Sequence, residues 1–183
     1  MVRPRALFLD RDGVINSDSG YTYKIEAFHF IDGIFDLCRL ARSLGYLTIV
    51  ATNQSGIGRG YFTEQEYQSL TRWMQDRFIA EGAPLAAVYH CPYHPDGVGE
   101  YRRLSDWRKP APGMLLQAAR DFSLDMAASL LIGDSEHDIE AARAAGLGAA
   151  IRLADPALVI SAADRVFPAH SEIAKWLKGF SAG

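Results

Sequence analysis

Short, almost uninterrupted apolar runs separated by helical periodicity restrict the fold of this chain more than any other feature. Ala6-Leu7-Phe8-Leu9, Tyr46-Leu47-Thr48-Ile49-Val50, Ala86-Ala87-Val88-Tyr89, Ser129-Leu130-Leu131-Ile132 and Ala149-Ala150-Ile151-Arg152-Leu153 read as strands, with a short sixth at Arg165-Val166-Phe167. A strand that is apolar at nearly every position offers no face to water, so both faces must be covered, as in a parallel sheet between helices. The intervening segments supply those helices. Residues 33–44 put Ile34, Leu37, Leu40, Ala41 and Leu44 on one face and close at Gly45. Thr63 and Glu66 have the spacing of a capping box, and Tyr67, Leu70, Met74 and Phe78 continue one face. Pro112 suits the first turn of a helix reaching about Phe122, and Ser135 opens another that ends at Gly146. Residues 155–183 carry no motif and read as a final strand and helix over the sheet edge. Strand–helix alternation with right-handed crossovers gives a doubly wound, Rossmann-like α/β fold with helices on both faces. At 183 residues, a single domain is expected.

Charge and cysteine usage narrow the setting. A formal net charge of −3 leaves no electrostatic footprint for nucleic acid or an anionic membrane. The two cysteines, Cys38 and Cys91, are too few for a disulfide scaffold and suit a reducing cytoplasm. The apolar run after Met1 breaks at Asp10, too early for a secretory segment, and no stretch approaches the ~18 uncharged apolar residues of a membrane span. A cytoplasmic monomer acting on a small molecule is the expectation.

In doubly wound sheets, ligands bind outside the carboxyl ends of the strands. There the first strand runs into Asp10-Arg11-Asp12-Gly13, the second into Ala51-Thr52-Asn53-Gln54-Ser55-Gly56, and the fourth into Gly133-Asp134-Ser135-Glu136-His137-Asp138. Arg108-Lys109 precedes the helix that leads to the fourth strand. Singly, each has an ordinary reading. Asp10, Asp12, Thr52 and Asn53 suit turns, Ser135 and Asp138 suit a helix start, and Lys109 suits a solvated loop. Together, Asp10, Asp12, Asp134 and Asp138 converge on one edge. Two carboxylates ~5 Å apart repel by roughly 3 kcal/mol at an effective dielectric of 20. Such a group is driven to take up protons or a cation, and hard oxygen donors of this kind suit Mg²⁺. Thr52, the amides of a Gly-rich turn and a mobile Lys109 charge complete a set suited to phosphoryl transfer. The two-residue spacing puts Asp12 on the same side as Asp10 while Arg11 turns away.

The stretches "FLDRDGVIN", "VATNQSGIGRG", "RKPAPGM" and "LIGDSEHDIEAA" resemble, in order and spacing, the four motifs of the haloacid dehalogenase superfamily of aspartyl phosphatases, over nearly the whole chain to about Leu153. More narrowly, "FIDGI", "TNQSGIGRGYFT", "YHCPYHP" and "RKPAPGMLL" resemble the heptose 1,7-bisphosphate phosphatases of the histidinol-phosphatase branch. The resemblance implies that Asp10 is the nucleophile forming an aspartyl-phosphate, that Asp12 is the acid and base, and that Mg²⁺ is held by Asp10, the Asp12 carbonyl and Asp134. Asp138 is expected behind the ligands, with Thr52, Asn53 and Lys109 on the phosphate. Gln54, Ser55, Arg59 and Arg108 are expected on the rest of the substrate, the two arginines gripping a remote phosphate. The motif spacings leave no room for a cap domain, so a flap at about 16–30 and a loop at about 90–108 are the expected cover. In the family that loop usually carries zinc. Here the ligand pairs read Cys91-Pro92-Tyr93 and Ser105-Asp106-Trp107, so zinc is not expected, although His90, Cys91, His94 and Asp106 remain as partial donors. Packing of Pro92, Tyr93 and Trp107 is the expected substitute. The implied reaction is Mg²⁺-dependent removal of the C7 phosphate from a heptose 1,7-bisphosphate, on the route to nucleotide-activated heptose. A histidinol-phosphate phosphatase and a catalytically silent binding module are the alternatives, the latter at odds with five intact motif residues.

Overall fold

A computed structural model describes residues 3–180. Among them, β1 (Arg5–Leu9), β2 (Tyr46–Asn53), β3 (Ala87–Cys91), β4 (Leu130–Gly133), β5 (Ala149–Leu153) and β6 (Arg165–Phe167) form one sheet in the order β3-β2-β1-β4-β5-β6. Every neighbouring pair is parallel. The helices are α1 (Ile34–Ser43), the short α2 (Ser55–Gly58), α3 (Glu64–Ala80), α4 (Gly113–Phe122), α5 (Glu136–Ala144) and α6 (His170–Phe180). None is long and apolar enough to cross a membrane.

The continuous apolar strands are explained by two separate cores. Leu7 and Leu9 of β1 point into one, with Val50, Ile132 and Ile151, under α1, α3 and α6. Ala6 and Phe8 point into the other, with Ile49, Leu131 and Ala150, under α4 and α5. Ala6 through Leu9 are fully buried, so the period-two alternation sorts residues between cores rather than between core and water. On α1 the buried set Ile34, Leu37, Cys38 and Ala41 follows the helical period, and Gly45 takes the left-handed conformation just past the end (φ 85°). The expected capping box opens α3. The Thr63 amide donates to Glu66 Oε2 (2.7 Å), and the Glu66 amide donates to Thr63 Oγ1 (3.1 Å).

Some boundaries differ from the sequence reading for a common reason. β2 continues through Asn53 and β3 through Cys91, because Thr52 pairs with His90 and Asn53 with Cys91 in the ladder. Polar residues at the end of a buried strand break the apolar run but not the backbone pairing. Pro112 caps α4 rather than lying within it. The turn α2 has no apolar period to betray it. Its Gly58 is required because a Cβ there would lie 2.3 Å from the Pro92 carbonyl oxygen. The final strand and helix are present. β6 forms the sheet edge, and α6 packs Ile173 and Leu177 into the core it shares with α1.

The chain runs from β1 outward to β2 and β3, then returns to β4 on the other side of β1. This reversal opens a crevice at the carboxyl ends of β1 and β4, where the connections diverge. Residues between β1 and β2 form a flap rooted by bridges from Asn16 to Asp12 and Phe30. Its tip leans on the segment after α2, with Tyr21 edge-on to Tyr61 (4.6 Å) and Tyr23 stacked on Phe62 (5.1 Å).

Candidate active site

Asp10 is the first residue beyond β1, and its amide still donates to the Ile132 carbonyl of β4 (3.0 Å), which fixes it at the crevice. The chain then folds back tightly. The Arg11 carbonyl accepts from the amides of Val14 (3.2 Å), Ile15 (2.7 Å) and Asn16 (3.2 Å). Gly13 makes this turn possible with φ 82°, and a Cβ there would sit 2.0 Å from Asp134 Oδ2. The glycine thus brings the acids after β1 and β4 together.

One oxygen of each of Asp10, Asp134 and Asp138 lies within 4.8 Å of the others. Burial pushes the Asp10 carboxyl up to about 7, with the charges of Asp138 and Asp134 adding and Lys109 opposing. Burial, then Asp138, pushes Asp134 up to about 6. Three clustered carboxylates, with Asp10 and Asp134 pushed up and all three offering hard oxygen donors, fit a divalent cation of the magnesium type. Asp138 is the most committed of them. Its Oδ1 accepts from Lys109 (2.5 Å), and its Oδ2 accepts from the Ser135 hydroxyl (2.7 Å) and from the Ser135 amide (3.2 Å), the last belonging to a capping box on α5.

Lys109 differs from the mobile cation the sequence suggests. It is buried, and its ammonium reaches Asp138 Oδ1 (2.5 Å), the Ala51 carbonyl (2.7 Å) and Asp10 Oδ1 (3.0 Å). Three acceptors match three N–H donors, so the charge is immobilised. Asn53 holds it there, accepting from the Lys109 amide and donating to the Lys109 carbonyl, both at 3.0 Å. One hydrogen and the oxygen of the Asn53 side-chain amide are thereby engaged by the backbone of residue 109.

Arg11 also departs from expectation. It does not turn away but is buried, because β-strand alternation ends at Leu9, before it applies to Asp10 and Arg11. Its guanidinium grips Asp12, Nη2 donating to both carboxylate oxygens at 2.8 Å and Nε to Oδ1 at 3.2 Å, and Nη2 also meets the Thr22 carbonyl of the flap (2.7 Å). Asn16 Nδ2 donates to Asp12 Oδ1 (3.0 Å). Gln54 Nε2 donates to Asp12 Oδ2 (3.0 Å) and to Thr52 Oγ1 (2.9 Å). Arg11 and Asn16 escaped sequence reasoning because each serves a neighbour only through the tight turn, which no periodicity encodes.

Two clefts flank this centre. One, of about 240 Å³, is lined by Asp12, Asp18, Tyr21, Asn53, Gln54 and Ser55. The other, of about 450 Å³, is lined by His94, Asp106, Arg108, Lys109 and His137 among others. Arg59 reaches His94 Nε2 (3.0 Å) and approaches Asp96 Oδ2 (3.6 Å). Burial, then Arg108 and Arg59, holds His94 below the usual histidine range. The cover loop is packed through its aromatic residues, with Arg103 over Tyr93 (3.7 Å) and Trp107 against Tyr89 (6.2 Å). His90 pairs with Glu64 (2.9 Å) and Cys91 is buried, so the partial zinc donors face different partners. Among the described residues, Asp10, Asp134 and Asp138 are the one group of three or more His, Cys, Asp or Glu side chains close enough to share an ion.

Comparison with known proteins gives a consistent result. A HAD-hydrolase-like family model matches residues 106–152. The chain is 50% identical over 181 residues to D-glycero-alpha-D-manno-heptose-1,7-bisphosphate 7-phosphatase of Burkholderia mallei, covering 97% of this chain and 96% of that protein. It is 49% identical over 144 residues to D-glycero-beta-D-manno-heptose-1,7-bisphosphate 7-phosphatase of Yersinia pestis, covering 78% and 77%. Among solved structures, it superposes with a TM-score of 0.82 on D,D-heptose 1,7-bisphosphate phosphatase from B. bronchiseptica complexed with magnesium and phosphate. The identity there is 27%, over 96% of this chain and 99% of that one.

Proposed function

The chain belongs to the heptose 1,7-bisphosphate 7-phosphatase family of HAD-like hydrolases, and on that premise we propose how its own residues carry the reaction. The activity is hydrolysis of the C7 phosphate of a D-glycero-D-manno-heptose 1,7-bisphosphate. We place it on the route to nucleotide-activated heptose, in a reducing cytoplasm that suits two buried free thiols. The observation that carries the mechanism is the meeting of Asp10, Asp12, Thr52, Lys109 and Asp134 around one strand-end crevice.

In this reading an Asp10 oxygen attacks phosphorus, forming the aspartyl O–P bond as the P–O bond to C7 breaks. Lys109 orients the Asp10 carboxylate from 3.0 Å and offsets the negative charge of its neighbours. Asp12 delivers a proton to the departing C7 oxygen and then takes one from the water that hydrolyses the acyl phosphate, a role worth about 10²–10⁴-fold. Thr52 offers its hydroxyl to a phosphoryl oxygen. Asp10, the Asp12 carbonyl and Asp134 would hold Mg²⁺, which when bound would supply charge neutralisation where an anion meets an anion. Asp138 keeps Lys109 in place. Arg108, with Arg59 behind His94, offers positive charge to the C1 phosphate at the mouth of the larger cleft.

The direct test is phosphate release from both anomers of heptose 1,7-bisphosphate and from histidinol phosphate, with and without Mg²⁺. One equivalent per heptose, lost only with Mg²⁺, is expected, with histidinol phosphate turned over far more slowly. Equal or faster release from histidinol phosphate would reassign the substrate. For the second anchor, Arg108→Ala is expected to raise KM for the bisphosphate about 10-fold, the loss of one charge-assisted contact, and to leave KM for p-nitrophenyl phosphate within about 2-fold. Parallel rises for both substrates would place Arg108 on the transferred phosphate instead.

A further inference from the structure

We propose that Gln54 is a positioning residue that joins the phosphate-binding hydroxyl to the acid, so that one amide sets the orientation of both. The inference rests on the role given to Asp12 above. Gln54 is almost completely buried, and its backbone is fixed, the amide donating to the Cys91 carbonyl (2.8 Å). Its side-chain nitrogen has two hydrogens and two partners, Asp12 Oδ2 (3.0 Å) and Thr52 Oγ1 (2.9 Å). The opposite orientation of the amide would aim its oxygen at a carboxylate, so Asp12 dictates which end faces it.

Two consequences follow from this double donation. At Thr52, one lone pair of the hydroxyl oxygen is occupied by an N–H, so the hydroxyl hydrogen is left to point outward as a donor to an anion. At Asp12, Arg11 and Asn16 already grip the carboxylate from the turn and the flap. Gln54 is the contact from the end of the neighbouring strand β2, and with Arg11 it sets the rotation of the carboxylate about its side-chain axis. Arg11 is anchored in the core and also bound to Thr22, so it has little freedom to yield. Gln54 is therefore the contact through which a phosphoryl group arriving at Thr52 is felt at the acid. Proximity of this kind matters because a small misplacement of a reacting group costs orders of magnitude in rate.

Gln54→Met keeps the side-chain volume and removes both N–H donors; Gln54→Glu keeps the shape and turns a donor into an acceptor. Each variant, with its melting temperature measured as a folding control, is compared with Asp12→Asn and with the Asp12→Asn/Gln54→Met double variant. Two substrates are used, heptose 1,7-bisphosphate, whose leaving alkoxide needs a proton, and p-nitrophenyl phosphate, whose leaving group does not. For Gln54→Met, kcat on the sugar is expected to fall about 10²-fold, the low end of an acid's contribution, and on the aryl ester by about 10-fold less, since that substrate still needs Thr52 and the base but not the acid. KM is expected to stay within about 3-fold, Gln54→Glu to be at least as impaired, and the double variant to lose clearly less than the product of the two single losses, because the contact to Asp12 is shared while that to Thr52 is not. Equal losses on the two substrates, additive losses in the double variant, or unchanged kcat would each overturn the proposal. If Asp12→Asn itself retains full activity on the sugar, the role of Asp12 fails, and that outcome is distinct from Gln54 failing alone.

Discussion

Asp10→Asn abolishes turnover, with kcat falling by at least about 10⁴-fold as expected for loss of a nucleophile, while the folded protein becomes more stable in the absence of divalent metal. The two effects share one cause. In the fold, Asp10 is pushed up to about 7 from its ordinary 3.8, by burial first and by the neighbouring acids next. Between those values the unfolded chain has released its proton and the folded chain has kept it, so stability falls as pH rises from about 4 to about 7. Asp134, pushed up to about 6, adds to the same slope. At pH 8 the parent carries the whole penalty, and Asn at position 10 removes one charge from the cluster. In a chain of this length 1 kcal/mol corresponds to about 2–4 °C, so a rise of at least ~2 °C is expected at pH 8 in chelator, shrinking by pH 5. Adding Mg²⁺ should raise the parent melting temperature at pH 8, less at pH 5, and the variant less at either. A variant that melts lower than the parent at pH 8 would mean that Asp10 is held mainly as a structural partner of Lys109.

The sequence exposes the parts of this arrangement that repeat and hides those that depend on a single turn. Leu7 and Leu9 facing one core, and Ala6 and Phe8 the other, follow from an apolar run with period two, and strand–helix alternation then places Asp10, Thr52 and Asp134 at one edge. The capping box at Thr63 is local and so readable. The burial of Arg11 is not, since it follows from three amides converging on one carbonyl and from Gly13 letting residues 10 and 134 approach. Nor does spacing reveal that Lys109, 58 residues from Ala51, ends under its carbonyl. Both are charged residues beside a motif, where composition favours solvent, and only the assembled crevice supplies the acceptors that bury them. Asn53 and Gln54 fall between these cases. Their position at the end of β2 is legible, but Lys109 and Asp12, which they hold, lie in other segments.

Lys109→Met is expected to have the opposite effect on stability from Asp10→Asn, together with a comparable loss of activity. Methionine replaces the apolar stem and removes the ammonium, leaving Asp138 and Asp10 without their shared cation and the Ala51 carbonyl without a donor. Breaking a buried ion pair from one side costs about 3–5 kcal/mol. At about 2–4 °C per kcal/mol, the melting temperature at neutral pH should fall by roughly 10 °C. Protonation relieves the uncompensated acids, and Asp10 is pushed up to about 7 even with the ammonium beside it, so the gap between parent and variant should narrow as pH falls below about 7. Lys109→Arg is not expected to restore the parent, because a planar guanidinium does not match three acceptors grouped around a tetrahedral ammonium. A melting temperature within about 2 °C of the parent at neutral pH would show that the ammonium does little to hold the acids together. The two substitutions act on the two ends of one 3.0 Å ion pair and differ in sign because the site is not neutral. Asp10, Asp134 and Asp138 outnumber the single ammonium that reaches two of them. Removing a negative charge relaxes that imbalance and removing the positive one deepens it. The same excess of negative charge is what a divalent cation would meet on entering, so metal affinity and metal-free instability have a common origin in this crevice.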